Sequence, residues 1–383
     1  MITSPQEIKE ERCKLFEDVY NLRVPKRVPV TIKVNNDFGI QYAGMDLIDV
    51  QWHPEKLMDA ADKVCSDFFS DKLPFGSRRF PAFYTFADSE YFKMSKSGML
   101  QHPEVSPMRE DEYKDFIKNP FDFSIEKILP RLYPGLKGTP EEKMFTYARV
   151  TQAHADDAAK AAAVSKAMSE KYGYFNPVAK SAIFAPYDFI ADIFRGFKGI
   201  SFDIRRRPQE VIEACEACIP LQTKIGITSN PTPLSECYIP LHMAGYMKTK
   251  DFEKFYWPSF EKTVRIVAAA GQGISLFNEN DWSRYLDQLA DLPEGIRMRF
   301  EYGNPKEFKE KLGKKHILSG FYPLALPTTG TVKENIETLK KMLDILAPGG
   351  NYVFDADKVM ATYDGGKENY IAVLNYIRDN TNY

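Results

Sequence analysis

Along the chain, short β-branched or aromatic runs give way to longer stretches in which apolar residues recur three or four places apart. The first pattern marks buried strands and the second amphipathic helices. "VPVTIKV", residues 28 to 34, reads as a strand. "HPEKLMDAADKVCSDFFSD" has helical spacing. "TPEEKMFTYARVTQAHADDAAKAAAVSKAMSEKYG" predicts a long helix capped by Thr139, with alanines that favour it. "SAIFAPYDF" reads as an apolar strand or buried turn, and "PQEVIEACEACIPLQTKIG" as a helix opening on a proline. From there the alternation is regular. The strands "ECYIPLH", "GISLF", "IRMRFEY", "HILSGF" and "NYVFDAD" alternate with helices such as "DWSRYLDQLADL", "PKEFKEKLG", "VKENIETLKKMLDIL" and "KENYIAVLNYIRDN".

Such alternation implies parallel strands joined by crossover helices. An open doubly wound sheet and a closed barrel both satisfy it. No G-x-G-x-x-G follows the first strand, which weakens the dinucleotide-binding version of the open sheet. The expected fold is therefore α/β, a (β/α)8 TIM barrel. It is expected as one domain over residues 1–383, with an N-terminal helical extension, "MITSPQEIKEERCKLFEDVY", and long loop insertions.

Composition narrows the function classes. Lys+Arg number 51 against Asp+Glu 53, so no basic footprint points to nucleic acid or an anionic membrane. No apolar run approaches the roughly 20 residues that span a bilayer. No signal-peptide core is present, so a cytoplasmic location is expected. The cysteines, Cys13, Cys65, Cys215, Cys218 and Cys237, are an odd and scattered set, unlike a disulfide framework. Cys215 and Cys218 form one C-x-x-C with no second pair to complete a zinc ribbon.

In a parallel barrel, chemistry sits at the C-terminal strand ends. Those ends carry Asn35, Asn36 and Asp37, then His242, Glu279, Glu301, Phe321 with Tyr322, and Asp355 with Asp357. Any single acid there is an ordinary loop or cap residue, as Asp281 and Asp364 are expected to be. His242, Glu279 and Glu301 together are more telling. One imidazole and two carboxylates suit a divalent ion such as zinc, and suit general acid–base work equally well. His154, within the long helix, and His316, at the start of its strand, are poorer candidates. Phe38, Tyr42, Phe75, Tyr187, Phe321 and Tyr322 are aromatic neighbours of the expected mouth, fitting a flat apolar substrate. The loops between Phe75 and Pro107 are expected to shape specificity.

The stretches "RVPVTIKVNNDFGIQYAGMD", "PEKLMDAADKVCSDFFSD", "AIFAPYDFIADIFRGFKGISFDIRRRPQEVIEA", "DFEKFYWPSFEKTV" and "TVKENIETLKKMLDIL" resemble the uroporphyrinogen decarboxylase superfamily, whose members include corrinoid-dependent methyltransferases. The resemblance implies a (β/α)8 barrel, often a homodimer. The decarboxylase branch carries arginines after the first strand to hold propionates. Here that place reads "KVNNDFGIQYAG", which disfavours a carboxylate-rich tetrapyrrole. The thiol- and methanol-type methyltransferases carry H-x-C after the fifth strand and a late cysteine as zinc ligands. Here Glu279 and Asp355 stand near those places, in "FNEND" and "VFDAD".

The branch most similar is that of the O-demethylase first methyltransferases. It implies transfer of a methyl group from a phenyl methyl ether to the cobalt of a corrinoid (cobalamin) carried by a partner protein. Glu279, His242 and Asp355 would then be catalytic. Asn35, Asn36, Tyr187, Phe321 and Tyr322 would bind substrate, and His242, Glu279 and Glu301 would hold zinc if a metal is used. A lyase acting on a smaller substrate and a ligand-binding homologue without turnover are the alternatives.

Overall fold

The computed structural model describes residues 4–76, 80–176 and 180–383. Residues 1–3 of the N-terminal run and residues 77–79 of the 75–107 loop lie outside them.

Local sequence signals account for the helices. Ser4 and Glu7 form a capping box that starts the helix Pro5–Tyr20. A second box, Thr139 with Glu142, starts the helix Pro140–Tyr172, which ends on Gly173 at φ 65. The helix Pro208–Gly226 opens on its proline as expected and covers the whole predicted run. Its Cys215 and Cys218 are both buried and free. Burial pushes both thiols well above their usual range, which leaves them as packing groups. Among the described residues no helix is long and apolar enough to cross a membrane.

A short antiparallel hairpin pairs β1 (Lys93–Met94) with β2 (Leu100–Gln101). The main sheet is parallel and runs in chain order: β3 (Ser181–Ala182), β4 (Glu236–Leu241), β5 (Gly273–Asn278), β6 (Arg297–Phe300) and β7 (Ile317–Gly320). In register, Leu241 lies beside Asn278, and Asn278 beside Phe300. The loops carrying His242, Glu279 and Glu301 therefore leave the sheet side by side. Gly273 is required where it stands, because a Cβ there would lie 2.0 Å from the Pro233 carbonyl oxygen.

The predicted strands at 28–34 and 351–357 are extended segments joined by single parallel bridges rather than regular strands. Val30 bridges Phe354, Val34 bridges both Phe75 and Met360, Lys72 bridges Phe175, and Leu318 bridges Tyr352. The β7 edge of the five-stranded sheet is thereby continued by further parallel segments. The run "SAIFAPYDF" departs from expectation. Only Ser181–Ala182 is strand, and Pro186 starts a helix that continues as a π-helical turn, Ile190–Arg195, and then as Gly196–Arg206. Proline at the first helical position explains the early start.

Below the strand ends, an ion network ties the N-terminal helix to the sheet. Asp71 is fully buried. It accepts both guanidinium nitrogens of Arg27 at 2.7 and 2.6 Å and the Val30 amide at 2.8 Å, with Arg12 at 3.3 Å.

Candidate functional site

Alternate residues of a strand share a face. On one face of this sheet lie Glu236, Tyr238 and then His242 from β4 and its exit, Ser275, Phe277 and Glu279 from β5, and Arg297, Arg299 and Glu301 from β6. His242 Nε2 stands 3.4 Å from Glu279 Oε1. His242 Nδ1 is bonded to Asp192 Oδ2 at 2.5 Å. Asp192, His242 and Glu279 thus form a chain, with the imidazole held from both ends. Burial disfavours the imidazolium, but the hydrogen bonds and charges of Asp192 and Glu279 prevail and push its pKa up to about 11.

The support beneath His242 is equally specific. Asp188 is fully buried and accepts the backbone N–H groups of His242 and Met243, each at 3.0 Å, and the Tyr256 hydroxyl at 2.7 Å. Burial, with the nearby Asp192 charge, raises its pKa to about 7 against the opposing pull of His242 and these donors. Asp188 and Asp192 are four residues apart, so both project from one face of the Pro186–Arg195 segment. The π-helical turn carries Asp192, a geometry often found at functional sites. Phe184, half-buried, meets the His242 ring edge-on at 6.4 Å.

Glu301 does not join this chain. Its Oε2 accepts the Asn280 amide at 2.8 Å. Asn280 sits at φ 64, a left-handed conformation that asparagine tolerates. The polar run after β5 is thus a turn clamped by Glu301, with Glu279 left directed at His242. Asp281 accepts the Ser283 amide at 2.9 Å and Asp364 accepts the Thr362 hydroxyl at 3.3 Å, the local roles expected of them.

Asp355 is buried away from the chain. Its carboxylate lies 3.0 Å from Arg297 and 3.6 Å from Arg299, and Thr31 donates to it at 3.3 Å. It sits one layer below Glu279, among arginines that sequence reasoning had placed in no role. The partner of His242 is Asp192 instead.

The aromatic expectations are largely redirected. Tyr187 is 1% exposed and packs on Tyr256 at 5.8 Å in the core, because the early helix start turns it inward. Tyr322 is buried and donates to Asn335 at 2.5 Å. Gly320 and Phe321 take the left-handed values φ 89 and φ 65, which lays the Phe321 ring against Phe300 and Phe308 at 5.4 and 5.3 Å. Phe38 and Tyr42 pack with Phe68 and Tyr370 in the core, and Phe75 is also buried. Asn35 is half-buried and precedes the helix Asn36–Tyr42, in which Asn36 is buried. Asp357 accepts the Leu324 amide at 2.9 Å. His316 is fully buried at the start of β7, and burial lowers its pKa to about 4, while His154 is exposed against Phe83.

Zinc requires three or four closely placed ligands. Both nitrogens of His242 are engaged by carboxylates, Glu301 is turned to Asn280, and Asp355 is paired with arginine. Among the described residues no three His, Cys, Asp or Glu side chains are grouped to hold a metal. The set His242, Glu279 and Glu301 does not fit zinc as arranged.

A groove of about 430 Å³ lies elsewhere, lined by Trp52, Phe86, Arg149 and Lys160 among others, and contains none of these residues.

No protein-family model matches the chain, and no curated protein matches it. Among solved structures, a methyltransferase from Methanosarcina mazei is similar with a TM-score of 0.61. The match covers 98% of this chain and 98% of that one at 14% identity. At that identity the likeness is one of fold.

Proposed function

We propose that this protein is a methyltransferase that moves a methyl group from an ether oxygen, in a small aromatic methyl ether, to the cobalt of a corrinoid carried by a partner protein. The fold part of the proposal is a closed eight-stranded parallel barrel. Its added strands would be the segments around Val30–Val34, Lys72–Phe75 and Tyr352–Ala356. The single parallel bridges that run on from β7 through these segments, as far as Lys72 with Phe175, support it. So does the likeness in fold to a methyltransferase.

The observation that carries the chemistry is the Asp192–His242–Glu279 chain at the strand exits. When a methyl C–O bond breaks, its electron pair stays on oxygen, and an alkoxide or phenoxide leaves poorly unless it gains a proton. A reduced corrinoid on the partner protein would supply the nucleophile for the methyl group, and the residues of this chain handle the proton. His242 supplies the proton through Nε2. Asp192 fixes the ring from Nδ1, and Glu279 orients the shared proton toward the ether. A donor whose pKa is near 11 stays protonated at neutral pH and is matched to a phenol leaving group, whose pKa is about 10. Exposed aromatic rings flank the exits. Phe197 and Tyr246 meet edge-on at 6.0 Å, and Tyr302 follows Glu301. They suit a docked partner protein.

Incubating the protein with reduced cobalamin and a panel of methoxybenzenes tests the reading. Methylcobalamin formation is expected. Carbon dioxide release would indicate a lyase, and binding without turnover a ligand-binding homologue. Either would overturn the proposal.

A further inference from the structure

Beneath the His242–Glu279 pair the same face is charged in an uneven way. Lys72 bonds Glu236 at 2.6 Å, and Arg297 lies 3.7 Å from Glu236 and 3.0 Å from Asp355. Three cations, Lys72, Arg297 and Arg299, thus face two carboxylates, and of Asp355 only Oδ2 is engaged, its Oδ1 being buried with no hydrogen-bond partner. Arg299 is left with Asp355 at 3.6 Å, already held more closely by Arg297. Arg299 is 5% exposed, its guanidinium carbon stacks over Phe277 at 3.6 Å, and its Nη2 is buried with no hydrogen-bond partner. A guanidinium has five donors, and burying it without acceptors is costly unless an anion arrives to accept.

The neighbouring side chains supply further donors for one. Lys33 is exposed although its chain neighbours Ile32 and Val34 are buried, and Tyr238 is half-buried between the buried Cys237 and Ile239. Alternation therefore sets both on the opposite face from those buried neighbours, Tyr238 on the face that carries Arg299. Lys33 Nζ lies 4.9 Å from the Tyr238 ring centre. Tyr238 stands on β4 between Glu236 and His242 on the same strand face.

We propose that Arg299, with Lys33 and the Tyr238 hydroxyl, forms an anion subsite that holds a carboxylate of the substrate one layer below the His242–Glu279 pair. The planar fork of arginine matches a carboxylate. The carboxylates above, Glu279 and Glu301, oppose a doubly charged phosphate. The inference rests on the strand exits being the reaction site, and its test needs no methyl transfer.

Titration calorimetry on the full chain, without cobalamin, uses benzoate, its neutral isostere benzamide, and inorganic phosphate as probes. Benzoate is expected to bind roughly tenfold or more tightly than benzamide, the scale of one charge-assisted contact. Arg299→Met should remove that preference, and Lys33→Met should weaken it. Lys33 is exposed, so its variant keeps the test open if Arg299→Met does not fold. Equal binding of benzoate and benzamide, or a benzoate affinity unchanged in Lys33→Met and Arg299→Met, would overturn the subsite. Tighter binding of phosphate than of benzoate would overturn the carboxylate assignment. Benzoate preference in a protein that transfers no methyl group would leave the subsite standing and remove the methyltransferase reading.

Discussion

Replacing Asp192 by asparagine keeps the size of the side chain and removes the charge that faces His242 Nδ1 at 2.5 Å. Two unit charges about 4 Å apart interact by roughly 4 kcal/mol at an effective dielectric near 20. The His242 side chain is 33% exposed, so solvent reduces that figure. About 2.7 kcal/mol is a reasonable remainder, equal to about two pKa units. In Asp192→Asn the opposing effect of burial persists and only Glu279 offsets it. The His242 pKa should therefore fall from about 11 to roughly 9.

The sign follows from linkage. A histidine whose folded pKa lies above its unfolded value of about 6.5 adds stability that is fully present below that value. It is lost as pH rises through the folded pKa. The variant should lose that contribution about two pH units earlier than the parent. Imidazole ¹⁵N chemical shifts followed across pH, with the His242 signal identified by its absence in His242→Gln, measure the pKa directly. A His242 resonance that titrates at the same pH in both proteins would refute the electrostatic account of the chain.

Other outcomes follow from the same geometry. Glu279→Gln should lower methyl-transfer turnover by roughly 10²-fold with a smaller change in substrate affinity, measured as separate kcat and KM values. Asp71→Ala leaves Arg27 buried without its partner and should cost about 3–5 kcal/mol in chemical denaturation. Gly273→Ala places a Cβ 2.0 Å from the Pro233 carbonyl oxygen and should lower Tm, because that neighbour is backbone.

The helices were the most legible part of the chain. Thr139 with Glu142, and Pro208, mark helix starts by local chemistry alone, and the structure uses them as such. The strands β4 to β7 were legible from short apolar runs. Their inner face was less so, although alternation was present: Thr31 and Lys33, Glu236 and Tyr238, Arg297 and Arg299 each stand two apart. Those side chains become one polar face only when the strands pair, because their partners come from other strands. His242 and Glu279 were found from their places at strand ends. Asp192 was missed, though two acids four apart in the otherwise apolar "APYDFIAD" are a signal. They share one helical face and must serve something buried. Tyr187 was misplaced for the converse reason, since Pro186 begins a helix where a strand or turn was expected.

The central claim is that His242 and Glu279 deliver a proton to a departing ether oxygen. The most direct measurement is methyl transfer to reduced cobalamin across ring-substituted methoxybenzenes, comparing the parent protein with Glu279→Gln and His242→Gln. The account predicts a loss of roughly 10²-fold or more for poor leaving groups that shrinks steadily as the leaving phenol becomes more acidic. A loss of the same size for every leaving group would contradict it and leave the pair with positioning alone.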